Sequence, residues 1–296
     1  MSLPLFSPEQ DPGPSFLELL RRSGTLASPW FGDPGAAGAR PADLATGGRG
    51  APFSGPFTGV AGMAGPGFEV SHATTVVALR YTDGVVMAGD RRATEGFAIA
   101  HRSIEKVFPA DRFSAVATAG AAGPAIEMIR LFQTQLEHYE KVEGLALSLE
   151  GKANQLAQMV RGNLAMAMQG LAVVPLFAGF DTRRQVGRIF TYDVAGGRYE
   201  EADHHATGSG GRDARTTIKL GYREGLARAD ALDLAILALY EAADEDAATG
   251  GPDVIRGIYP TVATVTATGF ERVSQDDVGE RFQALIATRT ARGDER

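Results

Sequence analysis

The amino-acid sequence predicts an α+β fold: a four-layer αββα sandwich in which two antiparallel β-sheets stack face to face and helices cover both outer faces. Three observations support this expectation. β-type segments joined by hairpin turns occur both early and late in the chain after residue 74. Two long helical patterns follow the first group of strands, and two more follow the second group. A sandwich of this kind buries the apolar helix faces economically.

The individual elements follow from local patterns. β-branched runs bounded by turn residues predict strands at residues 75–81, 85–89, 104–108, 113–119 and 172–180, a hairpin over 188–201, a strand at 205–208 and a last hairpin over 261–273. A loop through Gly96 is expected between the second and third strands. Apolar residues at three- and four-residue steps predict helices at about 124–141, 149–168, 213–224, 231–243 and 275–288. The polar tail after residue 288 is expected to fray.

Composition excludes several function classes. The 296 residues carry a formal net charge of −7 and include no cysteine. A chain of this kind has no basic footprint for nucleic acid or an anionic membrane, and it offers neither disulfides nor thiol catalysis. No apolar run is long enough to span a membrane, and the N-terminus lacks the features of a secretory signal, so we expect a soluble cytoplasmic protein. The histidines show no metal-ligand spacing and no phosphate-binding glycine motif is present, so we expect no metal and no cofactor.

The first 73 residues differ in texture from the remainder. They are crowded with glycine and proline, and only Ser15 to Arg22 resembles a helix. Such a segment buries too little apolar surface to offset the entropy of ordering it. It is therefore interpreted either as a disordered arm or as a removable pro-segment, and the residues that follow decide between the two.

Thr74 is the first residue after this segment that could carry out catalysis. A threonine before a strand is ordinary, and its chemistry changes only if the bond between Ala73 and Thr74 is cut. Thr74 would then carry a hydroxyl and its own α-amino group, whose unperturbed pKa of about 7.7 to 8 suits a general base. A lysine beside the hydroxyl, paired with a carboxylate, would favour loss of the hydroxyl proton. Asp90 and Lys106 lie at the ends of neighbouring β-segments, where this geometry is possible.

A series of ordered motifs extends this hypothesis. They are Thr74–Ala78, Gly89–Thr94, Glu105–Val107, Ala119–Gly120, Leu136–Lys141, Met159–Leu164, Gly208–Gly210 and Asp246–Asp253. On these residues, the chain from residue 72 to about 290 resembles the β-subunits of the actinobacterial 20S proteasome, which are N-terminal-nucleophile hydrolases. The spacings of 16 and 32 residues from Thr74 to Asp90 and to Lys106 match those of the family. The resemblance implies the αββα fold of that class and a threonine endopeptidase activity.

The resemblance also implies roles for individual residues. Thr74 would be the nucleophile, Lys106 its electrostatic activator and Asp90 the partner of the lysine. Ser209 and Asp246 would orient the α-amine and hydroxyl, and the backbone N–H of Gly120 would form the oxyanion hole. The implied substrate-binding residues are small or apolar, which predicts cleavage after hydrophobic residues; they are Ala93, Thr94, Ile104, Phe108, Thr118, Ala122 and Ile126. Core packing is the alternative role for Ile104, Phe108 and Ile126.

The family further implies a domain organisation and partners. Residues 1–73 would be a pro-segment removed by self-cleavage at Ala73–Thr74, and residues 74–296 the catalytic domain with a short polar C-terminal tail. Copies of the chain would form heptameric rings stacked between rings of proteasome α-subunits, fed with unfolded proteins by an ATPase. Two departures from the family pattern are Ala73, where glycine is usual, and Thr249, where many relatives have serine.

Two alternatives remain open from the sequence. Because Ala73 replaces the usual glycine, the chain could be an unprocessed ring scaffold without activity, although Asp90, Lys106, Ser209 and Asp246 argue against this. The two-component ATP-dependent bacterial protease of the same superfamily shares the Thr-Thr start, both spacings and the Gly-Ser-Gly-Gly sequence. That protease has a very short pro-segment, however, and lacks the Asp-Ala-Ala-Thr-Gly-Gly-Pro-Asp element found at residues 246–253.

Overall fold

A computed structural model describes residues 74–95, 98–291 and 293. The expectations for residues 1–73, including the helix at Ser15 to Arg22, lie outside the described residues. The strands are β1 (Thr75–Tyr81), β2 (Gly84–Gly89), β3 (Ala93–Glu95), β4 (Ala98–His101), β5 (Val107–Asp111), β6 (Ser114–Gly120), β7 (Val173–Asp181), β8 (Val186–Tyr192), β9 (Arg198–Glu201), β10 (His204–Gly208), β11 (Thr261–Thr266) and β12 (Gly269–Arg272). The helices are α1 (Ala122–Glu143), α2 (Leu149–Gly162), α3 (Leu164–Ala167), α4 (Gly211–Gly221), α5 (Arg228–Glu245) and α6 (Gln275–Ala291).

Within the described residues the strands form two five-stranded sheets and one small hairpin. The first sheet has the order β10-β1-β2-β11-β12 and the second has the order β5-β6-β7-β8-β9, while β3 pairs only with β4. Every pairing between these strands is antiparallel. The predicted pair of antiparallel sheets is therefore confirmed.

Three apolar clusters hold the layers together. Alternate residues of β1 face opposite sides, as the period of a strand requires. Val76 and Ala78 pack between the two sheets, against Leu176 of β7, whereas Val77 and Leu79 pack beneath α4, α5 and α6. The outer face of the second sheet packs against α1 and α2 through a third cluster. Helix, sheet, sheet and helix thus form the four layers that the sequence predicts.

Three local predictions were wrong. The loop expected through Gly96 includes the short hairpin of β3 and β4, and every residue of β4 is exposed, so no burial period marks it in the sequence. The strand expected to begin at residue 104 begins at Val107. The helix expected to run to residue 168 ends at Gly162, where the Asn163 N–H shares its ordinary helical bond to the Met159 carbonyl with a tighter, three-residue bond to the Val160 carbonyl.

The residues after this break form α3, and they do not extend the buried face of α2. Leu164 and Met168 are exposed, contrary to the expectation from their four-residue spacing. The remaining helix predictions are confirmed to within a few residues at each end. Element bounds of this kind shift with the last hydrogen bond of a helix, which periodicity alone does not reveal.

Candidate active site

Thr74 lies at the wall of a cavity of about 140 Å³ between the start of β1, the end of β6 and the start of α1. Its position is fixed through its carbonyl oxygen, which accepts a hydrogen bond of 2.9 Å from the backbone N–H of Ser209. The cavity is lined by Thr74, Ala93, Thr94, Ile104, Glu105, Lys106, Phe108, Thr118, Gly120, Ala121, Ala122, Ala125 and Ile126. The structure thus brings all seven predicted substrate-binding residues together with Thr74, Lys106 and Gly120.

Asp90 follows β2 and is fully buried. Its Oδ1 accepts hydrogen bonds from the Lys106 Nζ at 2.7 Å and from the Thr75 backbone N–H at 2.8 Å. Its Oδ2 accepts from the backbone N–H groups of Arg92 at 2.9 Å and Gly250 at 2.8 Å. Buried charges are tolerated when they are paired and hydrogen-bonded in this way. Asp90 therefore holds the lysine, the residue after Thr74 and the loop at Gly250 in one arrangement.

Lys106 is buried directly before β5, with only 4% of its surface exposed. Besides Asp90, its ammonium group donates a hydrogen bond of 2.6 Å to the backbone carbonyl of Arg92. Burial lowers the pKa of Lys106 below its ordinary value, although the charge of Asp90 opposes that shift. A buried ammonium with a lowered pKa is well suited to stabilise or exchange a proton at a neighbouring hydroxyl.

Two glycines allow the backbone to pass close to this site. Gly120 ends β6 with a φ of +112°, and a Cβ there would lie 2.1 Å from the carbonyl oxygen of Ala172. Gly208 ends β10 with a φ of +104°, and a Cβ there would lie 1.7 Å from the carbonyl oxygen of Thr74. Only glycine adopts these positions without severe strain, so both are required by the geometry around Thr74.

Ser209 and Asp246 meet beside Thr74 from distant parts of the chain. The Ser209 hydroxyl lies 3.5 Å from the carbonyl oxygen of Thr74 and also interacts with the carboxylate of Asp246. Burial would raise the pKa of Asp246, but hydrogen bonds from Ser209, Thr249 and the backbone N–H of Ala248 outweigh it and hold the pKa below its ordinary value. Asp246 is thus kept ionised as an acceptor.

The sequence interpretation missed some parts of this arrangement. Thr75 was assigned no role, although its buried side chain contacts Gly210 and Thr249. The predicted substrate-binding residues were all small or apolar, whereas Glu105 also lines the cavity and forms an ion pair with Arg272. None of these three contacts has a local signal, because each joins residues more than 130 positions apart.

Comparison of the sequence with known proteins identifies its family. The model of the family described as "Proteasome subunit" matches residues 70–256. The chain belongs to the proteasome subunit family. It is 56% identical over 295 residues to the "Proteasome subunit beta" of Acidimicrobium ferrooxidans, covering 99% of this chain and 97% of that relative. It is 57% identical over 226 residues to the "Proteasome subunit beta" of Streptomyces griseus subsp. griseus, covering 76% of this chain and 80% of that one.

Both relatives are β-subunits, so this chain is a β-type member of the proteasome subunit family and a threonine-type endopeptidase. The resemblance on which the sequence interpretation rests is confirmed. In the part of the chain that the structure describes, no helix is long and apolar enough to cross a membrane. Across the same residues, histidine, aspartate and glutamate side chains form no cluster of three or more that could hold a metal ion.

Proposed function

We propose that this chain is a self-processing endopeptidase subunit of a 20S proteasome core, with Thr74 as its nucleophile. One observation carries the proposal: Thr74, Lys106, Gly120 and an apolar pocket share the wall of a single cavity. Cleavage of the bond between Ala73 and Thr74 would remove residues 1–73 and give Thr74 its own α-amine. Residues 74–296 would then be the mature catalytic domain.

The reaction would proceed through an ester on Thr74. The hydroxyl oxygen attacks the carbonyl carbon of the scissile peptide bond, and its proton passes to the α-amine of Thr74, which acts as general base. The charge of Lys106, held in place by Asp90, lowers the cost of forming the alkoxide. The backbone N–H of Gly120 stabilises the oxyanion. The proton then goes to the departing amine, and a water molecule hydrolyses the ester to restore Thr74.

The lining of the cavity supports a preference for hydrophobic side chains on the acyl side of the scissile bond. Ile104, Phe108 and Ile126 present apolar surface, and Thr118 is small enough to leave room between them. The carboxylate of Glu105 is engaged by Arg272, which limits its effect on an apolar side chain. A side chain bound here is removed from water, and this burial favours large apolar residues.

We further propose that the substrate backbone binds as an extended strand beside Thr94. Its hydroxyl is buried at the cavity and has no hydrogen-bond partner among the described residues. A buried polar group without a partner is costly, so a bound group that satisfies it gains affinity. Among the described residues β3 pairs only with β4, so an extended peptide beside β3 would add its backbone as a further strand.

We further propose that the chain works within an assembly. Its partners would be other copies of the chain, proteasome α-subunits, and an ATPase ring that delivers unfolded proteins through the α-rings. Enclosure of the active sites in such a chamber would allow a protease of broad specificity to work in the cytoplasm. The match to the Acidimicrobium β-subunit over 99% of this chain supports an N-terminal segment shared with that relative.

The test is the intact mass of the chain before and after assembly with its α-subunit partner. We expect the loss of residues 1–73, a new N-terminus at Thr74, and hydrolysis of peptides with a hydrophobic residue before the cut. Thr74→Ala should abolish both processing and hydrolysis, whereas Thr134→Ala, at an exposed position of α1, should change neither. A full-length chain in assembled, inactive particles would instead identify a ring scaffold, and Ala73→Gly would then test whether the alanine blocks processing.

A further inference from the structure

Thr75, the residue after the proposed nucleophile, is fully buried and uses both sides of its hydroxyl group. Its Oγ1 accepts a hydrogen bond of 2.9 Å from the backbone N–H of Gly210. On the other side it lies 2.6 Å from the Oγ1 of Thr249, which is also fully buried. The Thr249 hydroxyl in turn donates to the Oδ2 of Asp246 at 2.6 Å. A continuous chain of hydrogen bonds thus connects the second residue of the proposed mature chain to Asp246.

The direction of this chain is fixed by the chemistry of its ends. Asp246 is ionised and accepts only, so Thr249 must donate its single hydroxyl proton to that carboxylate. Thr249 can then only accept from Thr75, and Thr75 must donate to Thr249. The backbone N–H of Gly210 donates to the remaining lone pair of the Thr75 hydroxyl. Each proton has one possible acceptor, so the arrangement is rigid and its members depend on one another.

The chain closes on itself around the peptide unit of Thr74 and Thr75. Ser209 precedes Gly210, interacts with Asp246 through its side chain, and donates its backbone N–H to the carbonyl oxygen of Thr74 at 2.9 Å. We call the five residues Thr75, Ser209, Gly210, Asp246 and Thr249 the Thr75 network. It holds the Thr74 carbonyl from one side and the Thr75 side chain from the other.

The backbone of Gly210 passes close to the hydroxyl groups of Thr75 and Thr249. A Cβ at Gly210 would lie 2.7 Å from the Thr249 Oγ1 and 2.8 Å from the Thr75 Oγ1. Any larger residue would therefore force the two hydroxyls apart or displace the backbone of the loop. The main chain of Thr75 is also tied to Asp90, through the Thr75 N–H at 2.8 Å and the Asp90 N–H at 3.0 Å. Thr75 consequently links the Asp90–Lys106 pair to the group containing Asp246.

We propose that the Thr75 hydroxyl is a positioning group for catalysis: through Thr249 and Asp246 it sets where the hydroxyl and α-amine of Thr74 lie relative to Lys106. This inference rests on the proposed function of Thr74. Thr75 does not contact the substrate in this scheme and lines no part of the cavity. Its loss should therefore reduce turnover and leave substrate binding nearly unchanged. Because small displacements of reacting groups are costly, we expect a decrease in kcat of roughly 10- to 100-fold.

The experiment compares variants of the full chain, assembled with its α-subunit partner. Thr75→Val keeps the shape of the side chain but removes the hydroxyl, whereas Thr75→Ser keeps the hydroxyl. Thr249→Val removes the next hydroxyl of the network, and the double variant tests whether the two act together. Thr264→Val is the matched control, because Thr264 is a fully buried threonine on β11 outside the network. For each variant, kcat and KM are measured and normalised to the fraction of chains that begin at Thr74 by mass.

We expect a low kcat with an unchanged KM for Thr75→Val and for Thr249→Val, and near-normal kcat for Thr75→Ser and Thr264→Val. The kcat of the double variant should be no lower than that of the less active single variant. Slower self-processing of Thr75→Val would agree with this, because the same hydroxyl attacks in both reactions. Thr75→Val with kcat within twofold of the parent chain would overturn the inference, as would independent losses that multiply in the double variant. If Thr75→Val does not assemble, Thr249→Val alone decides by the same criteria. An inactive parent chain would instead refute the proposed function.

Discussion

Replacement of Asp90 by asparagine is the most informative single perturbation of the proposed machinery. Within the described residues its carboxylate accepts four hydrogen bonds, two on each oxygen, from Lys106, Thr75, Arg92 and Gly250. An asparagine keeps one oxygen and replaces the other with an N–H₂ group, which is itself a donor. Whichever way the amide faces, two donors lose their acceptor, and Lys106 loses its buried counter-charge.

The magnitude follows from these contacts. Removal of one partner from a buried ion pair typically costs about 3–5 kcal/mol, because the remaining charge stays desolvated. For a domain of this size that corresponds to a decrease in the unfolding midpoint of roughly 6 to 20 °C. Burial already lowers the pKa of Lys106, and without Asp90 that pKa should fall further, so less of the activating charge remains near neutral pH. We expect kcat to fall by about 100-fold or more.

The assay has two parts, thermal unfolding of the full chain and peptide hydrolysis by the assembled particle. Glu137→Gln is the matched control, since it removes a carboxylate from the exposed pair between Glu137 and Lys141 on α1. Exposed pairs of this kind contribute little, so neither measurement should change. If Asp90→Asn kept kcat within about threefold of the parent chain, the inferred activation of Thr74 through Asp90 and Lys106 would be refuted, whatever the unfolding midpoint.

Three further predictions address the cavity, the oxyanion hole and pH. Ala93→Phe should fill much of the cavity and lower kcat/KM by roughly tenfold or more for peptides with leucine or phenylalanine before the cut. The decrease should be smaller for peptides with alanine at that position. The control Ala98→Phe, on the exposed strand β4, should leave kcat/KM unchanged for all of these peptides. Gly120→Ala should lower stability and abolish hydrolysis, because its Cβ would lie 2.1 Å from the carbonyl oxygen of Ala172. Gly123→Ala should be tolerated, because its Cβ would have no neighbour within 4 Å. Equal behaviour of the two variants in unfolding and hydrolysis assays would contradict this prediction. Burial lowers the pKa of His204 and of His205 in the folded chain, so the unfolded chain binds more protons once the pH falls to the unfolded histidine pKa of about 6.5. The unfolding midpoint should therefore fall as the pH drops from 8 through that value. His204→Phe should weaken this pH dependence, and an unchanged slope of midpoint against pH would exclude His204 as a cause.

Much of the fold could be predicted because both faces of each sheet are buried, one beneath helices and the other against the second sheet. The alternation in β1 is one example: Val77 and Leu79 lie beneath helices, while Val76 and Ala78 meet the other sheet. All four are apolar because both faces are buried, and a β-branched run of this kind indicates a buried strand. The hairpin of β3 and β4 has no such coverage, since the residues of β4 are exposed. Its pairing is set by the backbone and by neighbouring segments, which the residue pattern does not encode.

Some residues of the candidate site could be predicted from the sequence, whereas others are brought together only by the fold. Thr74, Asp90 and Lys106 lie next to the ends of β1, β2 and β5. The strand pattern alone made their convergence possible, and the match of their spacings to those of the proteasome family made it a prediction. The Thr75 network has no such signal, because Thr75 and Thr249 are 174 positions apart and each resembles an ordinary buried threonine.

Ile126 shows how a helical pattern can serve two purposes at once. Its spacing to Ile129 and Phe132 predicts one apolar face on α1, and core packing was the alternative to a role in substrate binding. The structure buries Ile129 and Phe132 against the second sheet but leaves Ile126 exposed at 36%, on the wall of the cavity beside Thr74. An apolar side chain near the start of a helix is available to a ligand when the core does not need that side chain. The same periodicity therefore builds the layer that supports the site and supplies the surface that we propose contacts the substrate.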